Sequence, residues 1–576
     1  MMRKIILITF SCFFLLNCNE DYLEKEPLSE VTPNNFFKKS SDLELYTNSF
    51  YRMFPSTEIY SGDYHSDNIV GNTISDLVNG TRTTPTTGGG WNWEYLRSIN
   101  FFLDNYEKVD DANAKKHYSG VAKFFRAYFY FDKVKRFGDV PYYDKIIEPN
   151  DEEALSKTRD NRTFVIDKTL EDLDYAIDNM DDDLKVYRVT KWTALALKSR
   201  IALYEGTWMK YRGKSGYEKY LEIAYKAAED LMNNSPYSVY STGNPDMDYL
   251  NLFASHNAIS DEIILAREFN TELNVDHNVN YYTVTSSYGQ PSMPKDMVNS
   301  YLMKDGTRFT DKSDYNKIEY FDETQNRDPR LSQTIRTPGY TRIGSSIVEA
   351  TNFAAATTGY QLIKYVTESK YDTNDESITD LPLFRFAEVL LNYAEAKAEL
   401  GILTQEDLNK SINLLRDRVN MPSLNFNEAN NNPDNFLANQ YVNVSNNNKG
   451  VILEIRRERR IELYMENLRW DDIVRWKEGQ KLTQTFQGMY LPRLGKYDLD
   501  HNGSIDIEIY EDKPSSNTQG VVYLKLNDDI SFHSNNLVDP LPDYHNRIFN
   551  ESRDYLFPIP LLELQLNPNL TQNPGW

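Results

Sequence analysis

An all-α fold is what this sequence predicts: helical hairpins forming a single scaffold around one large irregular, loop-rich region. Three observations predict it. Apolar residues recur at helical spacing through both ends of the chain, as in Val121, Phe124, Phe125, Tyr128 and Phe129, which share one helix face. Glycine and proline punctuate those stretches where a helix must stop, at Gly138-Asp139-Val140-Pro141 and at Gly401. Between them, residues 235–380 lose the period and fill with Tyr, Asn, Thr, Ser and Gly.

Taken in order, the chain starts with Met1-Met2-Arg3-Lys4, an uncharged run Ile5–Leu16, and Cys18. The run is too short to span a bilayer and fits a secretory signal over residues 1–17. Cys18 stands where cleavage falls and resembles the cysteine of a bacterial lipobox, which implies lipidation and a tether to a membrane. An irregular leader follows, then a helix from Asp42 to Phe54, a loop over 55–90 ending in Gly88-Gly89-Gly90, and a helix from Trp91 to Tyr106. Further stripes are Ile166, Leu170, Leu173, Ile177; Ala194, Leu197, Ile201, Tyr204; and Leu221, Ala224, Ala228, Leu231. Small residues in these pairs let neighbouring helices approach closely, as in tetratricopeptide-type hairpins, although the strict repeat consensus is absent. Residues 18–234 therefore form an N-terminal helical region, and 235–380 an irregular insertion with a β-like run at Tyr281–Thr285. A C-terminal helical region, 381–576, begins with the stripe Phe386, Val389, Leu390, Tyr393, Ala394.

Composition narrows the function. The only cysteines, Cys12 and Cys18, belong to the signal, so the mature chain holds no disulfide and no cysteine-based metal or redox site. A net charge of −23 repels phosphate backbones and argues against nucleic acid as a partner. The 41 Tyr, 28 Phe and 7 Trp supply flat apolar bodies suited to core filling and to stacking on sugar rings. The seven histidines form no H-E-x-x-H, and neither G-x-S-x-G nor a P-loop occurs. Paired carboxylates for glycoside cleavage are not recognisable without geometry.

Two non-periodic regions combine aromatic faces with hydroxyl-binding groups. One is 63–93, with Asp67, Asn72, Arg82 and Trp91; the other is 280–290, with Tyr281, Tyr282 and Tyr288. These seven are the candidate ligand-binding residues, and Trp91→Ala is expected to weaken binding without lowering stability. Trp93 reads as core. Arg459, Arg460 and Glu462 read as mutually paired ions on a scaffold helix.

The sharpest local motif is Asp498-Leu499-Asp500-His501-Asn502-Gly503-Ser504-Ile505-Asp506, which matches the first nine positions of an EF-hand loop. Side chains of Asp498, Asp500, Asn502 and Asp506 and the carbonyl of Ser504 would hold a structural calcium ion. Position twelve is Ile509 where a bidentate glutamate is needed, with Glu508 or Glu511 as substitutes. No other cofactor is required.

Five strings together resemble the SusD/RagB family of outer-membrane lipoproteins. They are Phe125-Arg126-Ala127-Tyr128 through Val140-Pro141, Arg327-Asp328-Pro329-Arg330-Leu331, Arg385 to Ala396, Glu458 to Leu463 through Arg469-Trp470, and Gln572-Asn573-Pro574-Gly575-Trp576. The resemblance implies tetratricopeptide-like helix pairs decorated by an irregular ligand-binding region, and a protein that is not an enzyme. It implies a lid on a SusC-like TonB-dependent barrel that captures a nutrient, most often an oligosaccharide, with an oligopeptide as the alternative cargo. Glu20-Asp21 resembles the signal that sends such lipoproteins to the cell exterior. A surface glycoside hydrolase is the reading from another class.

Overall fold

The computed structural model describes residues 36–445, 447–512, 514 and 517–576. Cys18 and the signal lie outside the described residues. Among the described residues no helix is long and apolar enough to cross a membrane.

The N-terminal half is built from helices α1 (Ser40–Asn48), α2 (Glu94–Asn105), α3 (Ala112–Phe137), α4 (Arg162–Asn179), α5 (Lys191–Lys210) and α6 (Tyr217–Asn234). Two of these starts are capped by a side-chain oxygen. Asp111 accepts from the Asn113 and Ala114 N–H groups at the head of α3, and Asn161 from Thr163 N–H at the head of α4. Gly138 at φ 74° ends α3, a conformation that a side chain disfavours. α3 packs on α4, α4 on α5, and α5 on α6. Gly206 makes the last crossing possible, because a Cβ there would meet Leu221 at 2.8 Å.

The chain then leaves the helical layer and returns through a two-stranded sheet. β1 (Ile263–Arg267) pairs antiparallel with β2 (Leu381–Arg385), so both ends of the irregular segment are clamped together. From β2 it enters α7 (Phe386–Leu400), then α8 (Ile412–Arg418), α9 (Lys449–Glu462) and α10 (Arg469–Arg475). α7 packs on both α6 and α9. The C-terminal part adds β3 (Gly495–Tyr497), β4 (Ile507–Tyr510) and β5 (Val522–Lys525) in one small sheet, β6 (Ser531–Phe532) with β7 (Val538–Asp539) in another, and helix α11 (Leu561–Leu566).

Two cores result. One fills the helical layer; the other gathers Tyr249, Phe253, Met297, Tyr301, Tyr360 and Tyr365 beneath the irregular region. α9 is the seam, with Val451, Ile452 and Ile455 in the first core and Ile461 in the second. Every charged residue from Glu454 to Glu462 on this helix is buried.

Two local expectations are corrected. Residues 281–285 are not extended: Val279–Val284 is a helix of 6 residues, stabilised where Thr283 Oγ1 donates to Val279 O at 2.9 Å. The stretch 55–90 is not all loop, since Glu58–Ser61 and Asp76–Asn79 are short helices. Both misreadings come from segments too short to show a period.

Candidate functional site

The candidate ligand residues separate into those spent on the fold and those left facing solvent. Asp67 is 4% exposed, and its carboxylate accepts from Arg469 at 2.7 Å and from Arg460 at 3.0 Å. Burial alone would raise its pKa; the charges of Arg460, Arg469 and Lys481 more than reverse that and hold it well below the carboxylate range. Arg82 donates to Asp554 O at 2.5 Å and lies over the rings of Phe557 and Trp576, at 4.6 and 5.1 Å. Trp91 is 7% exposed, edge-on to Phe137 at 4.9 Å and to Trp93 at 5.3 Å. Tyr282 is buried against Tyr60 at 5.6 Å. All four take part in packing or ion pairing within the protein, although Arg82 Nε has no hydrogen-bond partner and Trp91 also lines a separate cavity on the helical layer.

The other three are accessible. Asn72 is exposed, and its N–H donates to Gly289 O at 2.9 Å, which ties the first candidate region to the second. Tyr288, 47% exposed, has its ring 5.6 Å from that of the half-buried Tyr281, whose hydroxyl meets Ser287 Oγ at 2.8 Å. The turn that carries Tyr288 contributes Ser286 and Gln290 to a cleft of about 460 Å³ together with Asn72, Phe353, Thr357, Tyr523, Asp528, Asp529 and Asp539. Gln290 sits at φ 50°, held by its amide donating to Ala354 O at 2.9 Å.

Sequence reasoning missed the far wall of this cleft. Its signal was present: Val522-Tyr523-Leu524-Lys525-Leu526 alternates as a strand and stops at Asn527-Asp528-Asp529, a turn. The described lining holds three carboxylates and no lysine or arginine. Such a surface can hydrogen-bond hydroxyls, offers Phe353 and Tyr523 as aromatic groups, with Tyr288 on the adjoining turn, and it repels anions.

A second, larger cavity of about 640 Å³ opens on the helical layer, between α2, the 141–155 segment and α11. It is lined mainly by apolar groups, among them Trp93, Leu96, Pro141, Tyr143, Ile147, Leu155 and Leu566. Trp93, read as core, is half-buried at its edge. The groups that bind hydroxyls are few here, so this cavity suits a sugar less well than the cleft.

In the loop 498–506, carboxylate oxygens of Asp498, Asp500 and Asp506 lie within 4.8 Å of one another. Asp498 accepts from Gly503 N–H at 2.8 Å, Asp506 from Leu499 N–H at 2.7 Å, and Asn502 Oδ1 from Ser504 N–H at 2.7 Å. Burial and the neighbouring charges of Asp500 and Asp498 raise the Asp506 pKa against the Leu499 bond. The flanking elements are strands β3 and β4, not the helices of an EF-hand. Ile509 is buried in β4 and cannot ligate, while Glu508 faces Lys496 at 3.7 Å. The donor set fits a hard divalent cation through its three acids, without the bidentate twelfth ligand.

The charges on α9 also differ from expectation. Apart from Arg457 with Glu454 at 3.6 Å, they pair with groups off the helix. Glu462 accepts from Arg418 at 2.7 Å, Arg385 at 2.8 Å and Arg330 at 3.1 Å; Arg459 donates to Asp472 at 2.9 Å, and Arg460 reaches Asp67 and Asp296. Burial acts to raise Glu462, and the three guanidiniums reverse it to far below the usual range. The strings Arg327–Leu331, Arg385–Ala396 and Glu458–Leu463 thus meet in one buried network.

Helix pairs together with an irregular region that carries a polar, acid-lined cleft define a helical-hairpin scaffold. The model described as "SusD family" matches residues 261–576, and the one described as "Starch-binding associating with outer membrane" matches residues 21–203. The chain belongs to the SusD family. A SusD-like protein of Formosa agariphila is 24% identical, covering 85% of this chain and 95% of its own. Another, of Bacteroides ovatus, is 23% identical over 100% of this chain and 98% of its own. A solved SusD-like carbohydrate binding protein of Bacteroides fragilis shares the fold at a TM-score of 0.70 and 23% identity, covering 93% of this chain and 100% of that one.

Proposed function

We propose that this protein is a surface lipoprotein that binds an uncharged oligosaccharide in the cleft between Asn72, Tyr288 and Asp529 and passes it to a SusC-like TonB-dependent barrel. The carrying observation is the cleft itself: hydroxyl-binding Asn72, Gln290, Thr357 and Tyr523 surround a space of about 460 Å³, and exposed Tyr288 is carried on the same turn as Gln290. Its three carboxylates favour a neutral sugar over a sulfated or uronate-rich one. The description of the matching family as starch-binding and associated with the outer membrane supports the class of cargo and the location. Lipidation of Cys18 would supply the tether. Nothing in the cleft asks for catalysis, and the protein is read as a binder.

The test is retention of the purified chain on neutral and on acidic polysaccharides, with the eluate assayed for cleavage products. Retention on a neutral polymer without cleavage supports the reading. Retention only on peptides, or release of shortened chains, defeats it. The proposal includes a calcium ion in the 498–506 loop, bound with the roughly millimolar affinity of extracellular sites. A chelator-stripped sample that melts at the same temperature with and without millimolar calcium removes that part.

A further inference from the structure

Beside the cleft, and independent of what fills it, three metal-binding side chains converge from one short stretch of chain. His533 follows β6, Asp539 ends β7, and His545 lies on the loop beyond; their ligand atoms all fall within 4.8 Å of one another. His545 Nε2 is 2.7 Å and His533 Nδ1 3.6 Å from the same oxygen, Asp539 Oδ2. The rings are 5.4 Å apart.

The far side of His533 decides what its near side offers. Its Nε2 is 3.0 Å from Phe486 O, an acceptor only, so Nε2 carries the hydrogen. In the neutral ring that leaves Nδ1 as a lone pair aimed at a carboxylate. A lone pair facing an anion suits a cation, either a proton on Nδ1 or a metal ion. This is also the arrangement by which a backbone carbonyl orients a metal-binding histidine. Asp539 is 6% exposed, so water cannot fully screen it, and its other oxygen accepts from Leu541 N–H at 3.3 Å. The charge of the nearby Arg547 is felt at Asp539, but its N–H groups go to the carbonyls of Leu482, Tyr544 and Gln484, so it makes no direct ion pair with the carboxylate.

We propose that His533, Asp539 and His545 form a binding site for a zinc-like divalent transition metal. Two imidazoles and one carboxylate suit zinc and its first-row neighbours and disfavour calcium or magnesium. Zinc bonds of about 2.0–2.1 Å place tetrahedral ligands roughly 3.3 Å apart, within reach of side-chain rotation from the observed spacing. Three protein ligands leave a fourth position for water. Asp539 also lines the cleft, so the metal would stand at its wall and pin the β6–β7 hairpin to the following loop.

The full chain, stripped with a chelator and titrated with zinc chloride by calorimetry, tests this. One equivalent of zinc per chain is expected, undisturbed by millimolar calcium. His545→Ala, at an exposed position, is expected to weaken binding about 100-fold or more, with an unchanged far-ultraviolet circular dichroism spectrum. His533→Ala should do the same. Asp500→Ala should leave zinc binding intact, which separates this site from the 498–506 loop. No uptake, uptake that survives the double histidine variant, or uptake abolished by Asp500→Ala each overturns the proposal: the cluster is then an ion pair and nothing more.

Discussion

Helix α9 and the C-terminal stretch 498–545 both concentrate charge, and they treat it in opposite ways. On α9 the charges are buried and every carboxylate meets guanidiniums from elsewhere in the chain, as Glu462 does with Arg330, Arg385 and Arg418. In the C-terminal stretch, acids face acids at Asp498, Asp500 and Asp506, and imidazoles face a carboxylate at Asp539. The first balances its acids with guanidiniums from within the protein, although some guanidinium nitrogens, such as Arg418 Nε and Arg456 Nε, have no hydrogen-bond partner; the second sets acid beside acid and imidazole beside acid. Buried acids balanced by buried guanidiniums mark scaffold, whereas metal-ligand side chains that converge in one place mark where a cation would fit.

That comparison is broken most forcefully at Glu462. Glu462→Gln keeps the shape and removes the charge, leaving three buried arginines under-compensated, and should cost about 3–5 kcal/mol. Denaturant unfolding measures it; a loss below about 1 kcal/mol would mean that α9 is not the seam of the molecule. Next comes Trp91, whose ring fills the space beside Phe137 and Trp93. Trp91→Ala should destabilise by about 3 kcal/mol, the reverse of what its place in a loop leads one to expect. If stability holds and sugar binding falls, the ring belongs to a ligand site after all.

These two residues also show how far the sequence could be read. The all-α scaffold was legible because helical spacing repeats over long stretches, as in Val121 to Phe129. So was the family, because Arg385–Ala396 and Glu458–Leu463 are constrained by the buried network they enter. The irregular region was legible only as irregular. Its strand β1 finds its partner β2 more than a hundred residues later, and no local pattern announces such a pairing. The packing of Trp91, Asp67, Arg82 and Tyr282 is not legible for one reason: in loops without a period, residues that bind sugars and residues that tie down the chain are of the same types. Asn72 and Tyr288 stand exposed as their loops lead one to expect, whereas the meeting of Asp539 with its two histidines is not legible, since their proximity depends on a hairpin of four paired residues.

Asp63 sharpens the comparison through pH. It is buried beside the α9 network without an arginine of its own, accepting from Asn68 Nδ2 at 3.1 Å and Met465 N–H at 2.9 Å. Burial pushes its pKa up to about 6, against those bonds, from 3.8. A raised carboxyl stabilises the fold while it keeps a proton that the unfolded chain has lost. Its contribution is fully present below pH 3.8 and is lost as pH rises through about 6. Asp63→Asn stays neutral throughout, so it should melt several degrees higher than the parent at pH 7.5 and alike at pH 4. Equal melting temperatures at both values would show that Asp63 is compensated as fully as Asp67.

The smallest effect on stability, and the most telling for function, belongs to Tyr288. Its ring is 47% exposed and leans on Tyr281, so Tyr288→Ala removes little buried area and should shift unfolding by less than about 1 kcal/mol. A stacked aromatic face lost from a binding site weakens a ligand by roughly 1–2 kcal/mol, about tenfold in affinity. Affinity electrophoresis of parent, Tyr288→Ala and Asn72→Ala on a neutral polysaccharide reads this directly. Both variants should run faster than the parent while melting with it. Unaltered mobility would move the binding surface away from this cleft, and the larger cavity edged by Trp93 would become the place to look, where Trp93→Ala and Leu566→Ala should then take over the effect.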